Sequence, residues 1–133
     1  MKQGGWPWVR NALGGAILGL IGALIGSIVG ARRYAPVGFE EGFIGLFSGA
    51  ALGYTLGVPA GVYLVGRLSD TGGAFWLTVG GAALGSGWLV PLPPLGFLDA
   101  FVYLALPGCM ASLALAVLGY HRGCGRLGRR LRE

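Results

Sequence analysis

The sequence predicts an all-α fold, a polytopic membrane protein of about four transmembrane helices packed through glycine-zipper (small-xxx-small) faces. Three observations predict it. The chain is 54% hydrophobic and only 11% charged, where a soluble domain carries about 25% charged residues; its mean hydropathy is +0.69. Its 133 residues include 28 glycines, without the Gly-X-Y period of collagen. Those glycines recur at four-residue steps inside the apolar runs, and residues four apart lie nearly above one another on a helix.

The clearest stretch is residues 42–66, which carries no charge and holds Gly45, Gly49, Gly53, Gly57 and Gly61 at strict four-residue intervals. In water each such glycine costs a helix about 1 kcal/mol relative to alanine. In a bilayer the backbone must satisfy its own hydrogen bonds, so the helix survives. The bare stripe then admits another helix closely. At this length a single membrane domain, residues 1–133, is expected.

The first span is expected at 12–31, with Gly22, Gly26 and Gly30 in register and Gly15 and Gly19 as a second pair. Trp6 and Trp8 precede it at head-group level. The run is 20 residues long, exceeds a typical signal-peptide core and lacks an A-x-A-like site, so it reads as a retained helix rather than a cleaved signal. A connection holding Arg32, Arg33, Pro36, Glu40 and Glu41 leads to the second span, 43–65, and the two read as an antiparallel hairpin. Pro59 interrupts the second span, which a neighbouring helix can compensate.

In the following turn Arg67 and Asp70 are spaced to pair locally and form a possible polar site with Asp99. The third span, 74–90, carries Gly81 and Gly85 between Trp76 and Trp88. At 17 residues it sits at the short limit for crossing and is open to being kinked or re-entrant. Pro91, Pro93 and Pro94 end it. The fourth span, 97–120, keeps the small-residue spacing at Gly108, Ser112 and Ala116, and Pro107 is a candidate kink. Asp99 reads as complementing the positive end of this helix, although an acid in a membrane segment is also a candidate functional group.

The basic tail, 121–133, contains Arg122, Arg126, Arg129, Arg130 and Arg132. With a net charge of +5, it suits anionic lipid head groups or an acidic partner surface. With four spans, eight basic residues fall on the side of the termini and two on the other. The positive-inside rule then puts both termini in the cytoplasm, in a bacterial inner membrane or its equivalent.

Little in the chain carries chemistry. There is one histidine, and its H-x-x-C spacing with Cys124 supplies two ligands at most, so no metal or other cofactor is expected. Two cysteines form no disulfide framework. No carboxylate pair, nucleophile elbow or phosphate loop is present, so no enzyme is expected. The apolar runs do not alternate as barrel strands would. Terminal charges without interleaved aromatics argue against nucleic-acid binding. The function expected is a non-enzymatic structural or accessory subunit, whose partners are membrane lipid and either other membrane-protein subunits or itself. The alternative is a transport role, as a small oligomeric pore or a translocase scaffold. Its candidate lining residues are Ser27, Ser48, Thr55, Thr78, Ser86 and Ser112, with Asp99.

Arg67 and Asp70 before Gly80, Gly81 and Gly85, in a chain of four glycine-bearing spans, resemble the Tim17/Tim22/Tim23 group of mitochondrial inner-membrane translocase subunits. The spacing departs from that group's pattern, with two residues rather than three between the arginine and the aspartate. The chain resembles bacterial glycine-zipper membrane proteins to a similar degree. The first resemblance implies a scaffold for protein translocation.

Overall fold

The computed structural model describes residues 7–68 and 73–130. Four α-helices make up almost all of them: α1 (Pro7–Tyr34), α2 (Phe39–Leu68), α3 (Phe75–Ser86) and α4 (Leu98–Arg130), with a 3-10 turn at Gly87–Leu89 between the last two. No strand is present among the described residues. Three helices, α1, α2 and α4, are long and apolar enough to cross a membrane. That is the make-up of an integral membrane protein.

The helix ends follow from their residues. Pro7 opens α1, at a position that has no use for an N–H. Arg32 and Arg33 fill its last turn, and Glu40 and Glu41 fill the first turn of α2, each charge complementing the nearer helix pole. Pro59 lies inside α2 and Pro107 inside α4, and neither ends its helix. After the 3-10 turn the chain makes a series of tight turns, and Gly96 takes φ +83°, a left-handed conformation that glycine adopts without cost.

The third expected span is shorter than its sequence range. Residues 74–90 yield a helix of 12 residues, about 18 Å long, against about 30 Å of hydrocarbon. Ser86 leaves helical geometry at φ −132°, and the prolines from 91 onward forbid recovery. The backbone of the tail continues α4 without a break to Arg130.

The helices alternate in direction. Tyr63 of α2 meets Phe75 of α3, and Thr55 meets Ser86, so α3 runs antiparallel to α2. Phe47 meets Phe101, and Tyr54 bonds the Cys109 carbonyl, so α4 runs parallel to α2. One core cluster joins Tyr54, Val58 and Val62 of α2 to Ala82 of α3 and to Ala116, Val117 and Tyr120 of α4. A second gathers Ala51, Leu89 and Phe101. Most large apolar side chains of α1 instead point outward, Leu24 being 65% exposed, the distribution expected where the solvent is lipid.

Candidate functional site

The most unusual geometry in the molecule is the contact between α1 and α2. A methyl group placed on Gly26 would fall on the Gly49 carbonyl oxygen, 2.9 Å from its carbon; one on Gly49 would fall on the Gly26 carbonyl, 2.8 Å from its carbon. The same reciprocal contact joins Gly22 with Gly53 and Gly30 with Gly45. Further along, Gly57 lies against the Leu18 carbonyl and Gly61 against that of Gly14. Each four-residue step along α1 is thus met by a four-residue step back along α2. A side chain at any of the paired glycines would hold the backbones apart.

The second pair of α1, Gly15 and Gly19, lies beside this seam rather than in it. Gly14, not Gly15, carries it past Leu18. Gly15 faces the Val62 and Leu113 side chains, and Gly19 faces Val58 and Tyr54. The nearest contacts of these two glycines are side chains of α2 and α4.

A second close contact joins α3 and α4. Gly81 lies against the backbone of Leu115 and Ala116, and Gly85 against that of Ala111 and Ser112. Gly119, which its spacing in the sequence does not single out, lies against the Leu77 carbonyl. Gly108 meets the Leu89 side chain, 2.7 Å from an added methyl. Ala116 is fully buried.

Three hydroxyls tie α2, α3 and α4 together at mid-height. Thr55 Oγ1 lies 2.9 Å from Ser86 Oγ, and Ser86 Oγ donates to Ser112 Oγ at 3.0 Å. Ser112 donates in turn to the Ala82 carbonyl at 3.1 Å. Ser86 and Ser112 are buried. These three were among the candidates for a polar lining; here they bond one another across helices. Ser86→Ala is expected to cost about 1 kcal/mol, in the range of hydrogen bonds between membrane helices. Detergent titration of helicity checks it: an unchanged midpoint would mean that the chain of hydroxyls contributes nothing to holding the helices.

Of the expected polar site, Arg67 and Asp99 are not brought together. Arg67 is exposed at the end of α2. Asp99, also exposed, lies in the first turn of α4 beside Phe101, which packs on Phe47. From Phe47 to Arg67 is about 30 Å of helix, so Arg67 and Asp99 lie at opposite ends of the bundle. Asp70 lies outside the described residues. Of the tail arginines, Arg122 is exposed; the side chains of Arg126, Arg129 and Arg130, and all of Arg132, lie outside the described residues. Among the described residues no group of three His, Cys, Asp or Glu side chains is placed to hold a metal.

Two features have no counterpart in the sequence reading. Asn11 is buried on the inner face of α1, one turn before Gly15, and neither atom of its amide has a hydrogen-bond partner. An unpaired buried amide costs about 1–3 kcal/mol; no packing feature accounts for its retention. The other is a groove of about 570 Å³ between α1 and α4, with α2 as its floor. Alanines at 16, 23, 50, 51 and 105 open it, and no sequence spacing marks alanines on three different helices as neighbours.

No protein-family model, curated protein or solved structure matches this chain.

Proposed function

We propose that this chain is a non-enzymatic structural or accessory subunit of the bacterial inner membrane or its equivalent. It assembles with a larger membrane complex or with copies of itself, and its glycine seams act as a zipper that keeps its own helices in register. The observation that carries this reading is α3. Its outer face leaves Trp76 80% exposed and Leu84 77% exposed. Between them lies Gly80, where an added methyl would meet no atom within 4 Å. Beyond α3, residues 90–96 leave helical geometry, and in hydrocarbon such backbone persists only where protein covers it. A partner helix laid along this face completes the third, incomplete span and covers those turns, with Gly80 as the point of close approach.

The same reading keeps both termini cytoplasmic. Gly14 near the start of α1 lies beside Val65, and Tyr120 near the end of α4 lies beside Gly66, so the two ends share one side of the bundle with Arg10, Arg67 and Arg122. That side suits anionic lipid head groups.

Extraction in mild detergent, native electrophoresis and mass spectrometry of the band test it. The wild type is expected to run in a defined assembly. Gly80→Leu is expected to leave that assembly with its own melting temperature unchanged, because the site is open. A wild type that runs as a lone monomer would overturn the reading, as would a Gly80→Leu variant still in place. Conductance from the chain alone in bilayers would favour the pore instead.

A further inference from the structure

We propose that the groove between α1 and α4 holds one acyl chain of a bilayer phospholipid. This goes beyond the accessory-subunit reading and stands without it. Ala16 and Ala23 form the α1 wall, Ala105 and Met110 belong to the α4 wall, and Ala51 and Tyr54 lie on the floor.

Water does not fill such a space, since a buried water needs two to four polar partners. The hydroxyls on the wall are already engaged: Tyr54 donates to the Cys109 carbonyl at 3.1 Å, and Ser86 donates to Ser112 at 3.0 Å. An empty void of about 570 Å³ would strip every wall atom of its dispersion partners. The occupant is therefore apolar.

Size then separates a helix from a chain. The α4 wall runs from Phe101 to Leu113, about 18 Å of helix. Spread over that length, the volume gives a cross-section of about 30 Å². A helix with side chains is about 10–12 Å across, wider than that space. One extended hydrocarbon chain fits. Polarity narrows the choice further. A quinone or another carbonyl-bearing ligand needs a donor, and the hydroxyl protons on these walls are committed to protein acceptors. The groove lies between two helices long and apolar enough to span a membrane, and Leu106 and Met110 on its rim are exposed. It opens on the hydrocarbon itself, where phospholipid tails are the surrounding solvent.

The test uses the full chain in dioleoylphosphatidylcholine vesicles doped with phosphatidylcholine bearing a photoactivatable diazirine on one acyl chain. After irradiation, adducts are mapped by mass spectrometry. Labelling is expected to concentrate on groove residues such as Ala51 and Ala105, above that of outward-facing Leu24. In Ala105→Phe it is expected to fall about fivefold or more, as overpacking by the ring excludes the chain, while Leu24 labelling holds. Ala23→Phe closes the groove from the opposite wall, for use if Ala105→Phe does not fold. Groove labelling no stronger than at Leu24, or unchanged in the filled variant, would overturn the proposal. So would a co-purified isoprenoid or pigment that blocks labelling, or a crosslink showing a second copy in the groove.

Discussion

Replacing Gly26 with alanine is expected to destabilise this protein by about 1–3 kcal/mol, although alanine is the better helix former by about 1 kcal/mol. The new methyl would land on the Gly49 carbonyl. Backbone cannot swing aside as a flexible side chain can, so the two helices must part. Parting them at one point loosens the contacts of Gly22 with Gly53 and of Gly30 with Gly45, because all share one seam. Gly49→Ala attacks the same point from the other helix, so the two substitutions together should cost less than their sum. Gly26→Leu should exceed either, approaching the exceptional range above about 4 kcal/mol. Gly80→Ala is the control. With no atom within 4 Å of its added methyl, it should be neutral or stabilising by up to about 1 kcal/mol. Titration of each variant with a denaturing detergent, followed by circular dichroism, ranks them. Equal midpoints for Gly26→Ala and Gly80→Ala would show that the seam contributes nothing to stability.

How far the fold could be read from the sequence depends on whether the deciding contact is local. The five glycines of α2 share one face by helical periodicity alone, and a bare face four turns long has few uses besides close packing. Choosing their partners on α1 is harder. Gly14 and Gly15 are adjacent in sequence, yet Gly14 offers its carbonyl to Gly61 and lies beside Val65, whereas Gly15 faces the Val62 side chain of α2 and the Leu113 side chain of α4. That choice is made by how α1 rotates against two neighbours at once, which no spacing encodes. The length of α3 was obscured for a related reason. Residues 74–90 carry no charge, and composition cannot say where the helix stops when Ser86 turns its hydroxyl to Ser112 on another helix. The same holds for the hydroxyl chain and the groove. Thr55, Ser86 and Ser112 look like isolated small polar residues until three helices bring Ser86 within 3.0 Å of each of the other two. Asn11 likewise looks like the polar start of a helix, and packing of α1 against its neighbours is what buries it.

Tyr120→Ala is expected to cost about 3–5 kcal/mol, the range for removing a large buried ring. Tyr120 is 1% exposed and belongs to the cluster that joins α2, α3 and α4. Its ring lies where a methyl on Gly66 or on Gly73 would fall. Those two glycines mark the end of α2 and the approach to α3, so one side chain of α4 packs against both ends of the connection between them. Truncation leaves a cavity walled by backbone, and backbone held in helices collapses poorly into it. The cost therefore belongs at the upper part of the range. Tyr120→Phe keeps the ring and removes the hydroxyl, which separates packing from polar contributions. Refilling the space supplies a sharper check. Gly66→Ala alone should destabilise by pressing on the ring, whereas in the Tyr120→Ala background it should recover part of the loss. The coupling between the two substitutions should lie between about 0.5 and 3 kcal/mol. Midpoints of detergent denaturation for the four chains of this cycle measure it. Strict additivity would mean that the ring and Gly66 are not in contact, and would detach α4 from the end of α2.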